Sequence, residues 1–376
     1  MAGYLFTINK ANIQSMVDAI RDGVFSTIIN QPTNNTWGKH HEGTFADYLS
    51  MKEGDRVFFF SDRKIYGCGR MINIQSDCKY LNYIDAAKPK GNERLYNTKH
   101  LLKNCSSSNR FFFIFEPDPV FFKNGVDMDE VLQHKENPFR SIRTLWSLSC
   151  IKLDDDESEQ LYKIIIKKNE LDLCNKENQF EFNDSLHNSL ARENLDDYKF
   201  DRTSVIESCI DWNSRLLRHE MALEASLCEI LAKESKEPFG KWDYISHEVV
   251  ASPFKPVDYM DRMDVFGYKY IDEYNVVSKY IIVELKKDLA TTEIVEQIMK
   301  YVDWVANEYA NKDYSMIKAY LVTSGYDSDV LDLIKKHCIR NYTRGYRPTT
   351  FCIWNDINAI QYHIDDDGDL DFTVVL

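Results

Sequence analysis

Apolar residues in the first 165 positions occur mainly as short runs of strand length, separated by turn-rich stretches. The runs RVFFFS (56–61), RFFFIF (110–115) and LWSLSCIKL (145–153) favour buried strands. Two segments, 11–23 and 156–168, have the apolar spacing of helices. Many short strands with few helices predict a small β-barrel with flanking helices.

The pattern changes at about residue 166 and again at about 212. Residues 166–211 are polar, acidic and rich in Asn, which predicts a linker. The part after it alternates helices and strands in the order α-β-β-β-α-β, which predicts an α/β core. The predicted helices are 212–234, 291–310 and 327–341, and the predicted strands are 247–254, 263–271, 280–287 and 318–324, followed by a terminal hairpin.

Composition narrows the class of protein. The 376 residues suffice for two domains, and no stretch approaches the roughly 20 apolar residues of a membrane span. The N-terminus has no signal-peptide pattern, so we expect a cytoplasmic protein without membrane contact. Nine Cys residues without a CxxC pair predict reduced thiols. The net charge of -14 argues against a general basic nucleic-acid-binding protein, but permits an enzyme with basic residues near one cleft.

Charged residues interrupt an apolar strand in the second half. Glu284 and Lys286 are two positions apart and therefore share a face of the predicted strand. If the strand with Asp264 pairs with it, two carboxylates lie side by side, and a divalent cation relieves their repulsion. Lys286 would then activate a water molecule or stabilise charge on a phosphate. The alternative is an edge-strand salt bridge between Glu284 and Lys286 or Lys287, with Asp264 capping its strand.

The neighbouring helices carry further candidates. Glu224 on the preceding helix adds a third carboxylate, with a solvated helix acid as the alternative. Gln297 and Tyr301 are four apart on the next helix and share a face, although they also suit ordinary packing. A second Glu-x-Lys sequence, Glu234 to Lys236, has no upstream strand aspartate and is interpreted as solvated surface.

Residues 212–345 resemble the PD-(D/E)xK nuclease superfamily, which has an αβββαβ core. The motif residues in this sequence are the metal aspartate Asp264, the Glu284-x-Lys286 half, the helix acid Glu224 and the Gln297-x-x-x-Tyr301 motif of the RecB-like branch. The segment Arg262–Asp264 and the VELKK strand also resemble the NucS-like branch. Met263 replaces the proline that often precedes the aspartate.

The nuclease resemblance implies a deoxyribonuclease that depends on Mg²⁺ or Mn²⁺. Asp264, Glu284 and Glu224 would hold the metal, and Lys286, Gln297 and Tyr301 would complete the catalytic set. We also expect Arg262 and Lys287 to contact DNA.

The N-terminal segment resembles the EVE domain of the PUA-like group, which is related to YTH readers. The similarity lies in Gly54-Asp55, Val57 to Phe60, Ile65 to Gly67 and Gly69, whereas Tyr4-Leu5-Phe6 replaces a first strand that often contains Trp. The resemblance implies an aromatic cage for a flipped, modified base, since stacking on aromatic walls tolerates an added methyl group. Candidate walls are Trp37, Phe60, Tyr66 and Trp146, with barrel core as the alternative, and Lys39 and Arg70 are candidate phosphate contacts.

The predicted fold class is therefore α/β plus mainly β. Residues 1–165 would form an EVE/PUA-like reader, 166–211 a linker and 212–376 a restriction-endonuclease-like nuclease. The resemblances imply a prokaryotic anti-phage endonuclease that cuts modified duplex DNA as a homodimer or higher oligomer. The alternatives are a nuclease for DNA ends, mismatches or branches, as in NucS-like or Shedu-like proteins, and a catalytically idle DNA-binding assembly protein.

Overall fold

The computed structural model describes residues 1–30, 37, 42–89, 99–103, 105–134, 139–141, 150–252 and 260–376. The chain folds into two compact units, Met1–Phe200 and Asp201–Leu376. Both units contain helices and sheets, which confirms the mixed α/β class. Within the described ranges, no helix has both the length and the apolar character that crossing a membrane requires.

The first unit is built on a mixed sheet of eight strands. The strand order is β2-β6-β4-β3-β1-β8, with β5 paired to β6 and β7 paired to β4, and β1 runs parallel to β3. The strands are β1 Gly3–Thr7, β2 Val24–Phe25, β3 Arg56–Ser61, β4 Lys64–Met71, β5 Lys79–Leu81, β6 Phe111–Pro117, β7 Val126–Asp127 and β8 Cys150–Leu153. The helices are α1 Ile13–Asp22, α2 Glu42–Ser50, α3 Met128–Leu132, α4 Asp155–Lys168 and α5 Ser185–Leu190.

The phenylalanine-rich strands of the first unit are buried on both faces. Phe58 packs in an apolar cluster with Leu161 and Ile165 of α4. Phe59, which points to the other face, has its ring centroid 5.8 Å from that of Phe115 and 5.7 Å from that of Phe121. A strand covered on both sides needs no polar alternation, which accounts for the continuous apolar run.

The segment from 166 to 211 differs from the predicted linker. Residues 166–200 belong to the first unit and 201–211 to the second. Four apolar residues of the segment, Leu190, Leu195, Tyr198 and Phe200, are each less than 5% exposed. Phe200 stacks on Phe111 of β6 at a centroid distance of 4.2 Å. A few buried anchors therefore fix a segment whose average composition is polar.

The second unit has a six-stranded sheet in the order β11-β12-β13-β14-β17-β18. Strands β13, β14 and β17 are parallel to each other, and the other neighbours are antiparallel. The strands are β9 Ile210–Asp211, β10 Leu216–Leu217, β11 Tyr244–Val250, β12 Arg262–Tyr270, β13 Val277–Leu285, β14 Ile317–Thr323, β15 Arg340–Arg344, β16 Thr350–Trp354, β17 Ile357–Ile364 and β18 Leu370–Val374. The helices are α6 Arg202–Cys209, α7 Glu220–Lys233, α8 Thr292–Glu308 and α9 Ser328–His337.

Two helices of the second unit are shorter than predicted. Leu216 and Leu217 pair with β9 as a short ribbon, so α7 begins only at Glu220. Helix α9 ends at His337, and residues 340–344 form a strand with 350–354. In both places apolar residues suited either a helix or a strand, and pairing with a distant segment decided the outcome.

Gly267 is required by the packing of β12. A Cβ atom at this position would lie 2.3 Å from the backbone oxygen of Tyr244 and 2.6 Å from the Cδ1 of Ile245. We expect Gly267→Ala to lower the free energy of unfolding of the second unit by about 2–3 kcal/mol. Hydrogen exchange of the β12 and β13 amides in the full chain measures this loss.

Gly240→Ala is the matched control. Gly240 has a φ of +77°, but an added Cβ would meet nothing within 4 Å. We expect only the cost of the left-handed backbone, about 1 kcal/mol. Equal losses for the two variants would show that the contact with β11 does not restrict position 267.

Candidate active site

The candidate acids lie on two neighbouring strands of the second unit. β12 and β13 are antiparallel, and Val265 pairs with Val283, so Asp264 and Glu284 are the next positions of the same register. The backbone N–H of Leu285 donates to Oδ2 of Asp264 at 2.7 Å. The local fold thus brings together two acids that are 20 positions apart in the sequence.

Glu284 is a fully buried carboxylate. Its exposed fraction is 0%, and neither oxygen accepts a hydrogen bond within the described chain. The Nζ atom of Lys286 is 3.6 Å from Oε1, which is an ion-pair distance but not a hydrogen bond. Burial raises the pKa of Glu284 to about 7, and the positive charge of Lys286 opposes this rise. A buried carboxylate is costly without a partner, so this group can accept a further ligand.

Asp264 and Lys286 share this electrostatic environment. Burial raises the pKa of Asp264 well above its ordinary value, and repulsion from Glu284 and Glu224 adds to the rise. Burial alone would lower the pKa of Lys286, but Asp264 and Glu284 outweigh it and raise that pKa. The lysine therefore remains charged beside acids that repel one another.

Glu220 is a member of the site that the sequence analysis missed. Its Oε1 accepts a hydrogen bond from Nζ of Lys286 at 3.0 Å, and its Oε2 accepts one from the backbone N–H of Lys287 at 3.2 Å. Glu220 precedes Glu224 by four positions, so both lie on one face of α7. This spacing was a usable signal in the sequence. Helix α7 supplies two acids, and the first one positions the lysine.

Glu224 is paired with a histidine. Its Oε1 lies 3.0 Å from Nδ1 of His247, which comes from β11. Burial raises the pKa of Glu224, and the interaction with His247 opposes the rise. A lone histidine in a strand gives no sequence signal, because its partner comes from another element. The predicted third acid is therefore near the other two, but its carboxylate already has a neighbour.

Gln297 and Tyr301 are brought to the same place by α8. The Nε2 of Gln297 donates to the hydroxyl of Tyr301 at 2.9 Å. Burial raises the pKa of Tyr301, and the negative charges of Glu284 and Asp264 contribute to the rise. The predicted shared face of the helix is therefore directed at the acid pair.

The donor set fits a hard divalent cation in part. Carboxylate oxygens are the ligands that Mg²⁺ and Mn²⁺ prefer, and both oxygens of Glu284 are without hydrogen bonds in the described chain. Asp264 has one oxygen committed to Leu285, and Glu224 would have to leave His247. Over the described ranges, no three His, Cys, Asp or Glu side chains stand ready as a cation cluster.

The predicted DNA contacts that the structure describes are all paired with carboxylates. Arg262 lies 3.2 Å from Glu248, and Lys287 lies 2.7 Å from Asp288. In the first unit, Arg70 lies 3.3 Å from Glu116. Lys39 lies outside the described residues.

The predicted aromatic cage is not gathered at one place in the described part of the first unit. Trp37 is 3% exposed and packs against Phe45 and the guanidinium of Arg110. Tyr66 is buried near Phe180, and Phe60 packs against the apolar cluster that contains Phe58. Trp146 lies outside the described residues. Trp37 and Tyr66 therefore occupy buried positions.

The first unit contains a large cavity elsewhere. Its volume is about 1020 Å³, and it lies between the end of β1, α1, β2 and the turn before β6. The lining combines the apolar Phe25 with polar side chains, among them Asn9, Asn12 and Asn109. Thr7 also lines it, and its buried hydroxyl has no hydrogen-bond partner among the described residues. The cavity therefore offers a flat apolar wall and several hydrogen-bonding groups.

Comparison with known proteins gives distant structural likenesses. Neither a family model nor a curated protein matches the chain. A hypothetical protein from Leishmania major is 11% identical, with 45% of this chain and 97% of that chain covered, at a TM-score of 0.29. The NMR structure of Rpa0253 from Rhodopseudomonas palustris is 13% identical, with 46% and 94% covered, at a TM-score of 0.28. At these TM-scores neither structure bears on the fold or the function of this chain.

The buried acid pair predicts an unusual pH dependence. Because the folded pKa of Glu284 is raised from 4.5 to about 7, its protonated form is favoured in the folded state. The resulting stability is complete below pH 4.5 and is lost as the pH rises through 7. We expect Glu284→Gln to remove this loss and to stabilise the second unit at pH 8 by about 3 kcal/mol.

Hydrogen exchange of β13 amides between pH 4.5 and 8, corrected for intrinsic exchange rates, measures this effect. The exposed Glu234 provides the control, since Glu234→Gln should leave the pH dependence as in the unchanged protein. An identical pH dependence in Glu284→Gln would contradict a raised pKa at position 284.

Proposed function

We propose that the chain is a metal-dependent deoxyribonuclease with 201–376 as its catalytic unit. The observation that carries the proposal is the carboxylate of Glu284, which is fully buried beside Asp264 and has Lys286 two positions further along. Strand β13 lies between β12 and β14, so Glu284 is inside the sheet. This position argues against a salt bridge on an edge strand, because an edge carboxylate would be solvated.

The order of elements supports the same proposal. Helix α7 is followed by the antiparallel strands β11, β12 and β13, then by α8 and by β14, which is parallel to β13. This is the αβββαβ order of the PD-(D/E)xK core. The five motif residues that resemble that family all come from these elements.

Each residue has a role in the proposed hydrolysis. Asp264 and Glu284 would hold the cation, which when bound supplies charge neutralisation at the phosphate and lowers the pKa of water. Lys286 carries a positive charge that can stabilise a phosphate oxygen or orient the attacking water. Glu220 holds the ammonium group in place at 3.0 Å. Tyr301 and Gln297 close the site from α8.

The nuclease proposal predicts loss of activity at three positions. Asp264→Ala, Glu284→Ala and Lys286→Ala should each reduce DNA cleavage by about a hundredfold or more, because each removes charge from the site of phosphate transfer. Cleavage should require Mg²⁺ or Mn²⁺ and stop when EDTA is added. A gel assay with plasmid and phage DNA measures the rates.

Glu234→Ala is the matched control, because it alters the acid of the other Glu-x-Lys sequence. Glu234 is exposed and paired with Arg202 at 2.7 Å, so its removal should leave cleavage unchanged. Full activity of Asp264→Ala, or cleavage that persists in EDTA, would exclude the proposed site.

We further propose that the first unit recognises a modified base through its cavity. A pocket with an aromatic wall and amide groups suits a flipped base, which is stacked on one face and hydrogen-bonded at its edge. Attachment of such a reader to a nuclease raises the local concentration of the nuclease on modified DNA. The chain would then act as a modification-dependent restriction endonuclease in anti-phage defence, and two copies would be needed to cut both strands.

Thr7→Val tests the reader. The substitution keeps the shape of the side chain and removes a buried hydroxyl without a partner in the described chain, so the fold should not lose stability. If that hydroxyl contacts the base, the preference for modified over unmodified duplex should fall about tenfold. Titration of the full chain with paired duplexes in Ca²⁺ measures the ratio.

Ser158→Ala is the control, since this buried hydroxyl also has no partner in the described chain but does not line the cavity. Equal affinity for all modified and unmodified duplexes in the unchanged protein would remove the reader proposal. A nuclease that recognises DNA ends, mismatches or branches would then be favoured, and duplexes with those features complete the panel.

A further inference from the structure

One segment of this acidic chain contains no acidic residue. The chain has 60 Asp and Glu residues among 376, yet residues 333–355 contain none. The same 23 positions carry five basic side chains and one histidine, namely Lys335, Lys336, Arg340, Arg344, Arg347 and His337. A net charge of -14 makes this local excess of positive charge conspicuous, and it indicates a polyanionic partner.

The basic residues lie at the end of α9 and on a well-anchored hairpin. β15 and β16 pair antiparallel through five residue pairs, from Arg340 opposite Trp354 to Arg344 opposite Thr350. The indole Nε1 of Trp354 donates to the backbone oxygen of Ile317 at 2.9 Å. The guanidinium of Arg340 makes two hydrogen bonds to Asp303, at 2.8 and 2.9 Å. We call residues 335–354 the basic arm.

The arm exposes large apolar and aromatic side chains. Tyr346, at the turn of the hairpin, is 97% exposed, and Phe351 and Ile353 on β16 are 64% and 60% exposed. Phe351 and Ile353 are two positions apart and share one face of the ribbon. Arg347 is exposed beside Tyr346, and no carboxylate of the described residues forms an ion pair with it. An aromatic ring between arginines suits stacking on a base while the charges bind phosphates.

We propose that the basic arm is a second nucleic-acid contact, which binds DNA outside the cleavage site. A two-stranded ribbon fits the major groove, Arg344 and Arg347 would bind phosphates, and Tyr346 would stack on or insert beside a base. This inference rests on the proposed function for the identity of the polyanion as DNA.

The position of the arm separates its role from that of the acids. Its anchors, Ile317 and Asp303, lie at the beginning of β14 and in the last part of α8. Glu284 is opposite Leu321, four residues further along β14, or about 13 Å along the strand. The arm extends from the sheet edge where β14 begins, whereas Glu284 lies near the edge where β13 ends. The arm therefore affects binding and leaves the chemistry to the acids.

The experiment measures DNA affinity without cleavage. Fluorescence polarisation of the full chain with labelled duplex and single-stranded oligonucleotides, in Ca²⁺ and at several salt concentrations, gives Kd and its salt dependence. Tyr346→Ala should weaken binding about tenfold, and Tyr346→Phe should bind like the unchanged protein. Arg344→Gln with Arg347→Gln should reduce the slope of log Kd against log salt by about two. A failed nuclease proposal would leave these binding results unaffected.

Tyr274→Ala and Lys241→Gln are the controls. Tyr274 is 65% exposed in the turn between β12 and β13, where its neighbours are Asp272 and Glu273, so its removal should not change affinity. Unchanged affinity and salt dependence in the arm variants would overturn the proposal. A change of oligomeric state in sedimentation, with DNA binding unchanged, would also overturn it and would assign the arm to contact between copies of the chain.

Discussion

The second unit depends on the cost of burying the carboxylate of Glu284 in the middle of a sheet. Its neighbours reduce this cost only in part, since Lys286 is 3.6 Å away and Asp264 adds a second negative charge. Such a residue lowers the stability of the fold unless something binds it. The other features of the site follow from this strain. Glu220 holds the lysine close, His247 occupies Glu224, and the raised pKa values allow protons to remain where charge is not tolerated.

The sequence predicted this centre well because its signals are local. An acid and a lysine two apart on an apolar strand must share a face, and residues four apart on a helix must do the same. The pairing of β12 with β13, the hydrogen bond of Gln297 to Tyr301 and most element boundaries agree with that simple geometry. Glu220 could have been found by the same rule, from its spacing to Glu224.

The sequence failed where a contact depends on distant parts of the chain. His247 reaches Glu224 only because β11 packs beside α7. The burial of Trp37 between Phe45 and Arg110 could not be inferred from its polar neighbours in the sequence. The same reason explains the supposed linker, in which average polarity concealed four buried anchors, and the helix predicted over 327–341, whose last residues pair with a strand that follows it.

The aromatic strands of the first unit also determine how that unit fails. β3 and β6 each carry three or more consecutive apolar residues with little charge, and both are covered on their two faces in the folded state. Segments of this kind pair readily with copies of themselves once they are uncovered. Heating that opens the first unit should therefore end in aggregation, so that the lifetime of the whole chain is set by the rate of that opening and not by an equilibrium between folded and unfolded forms.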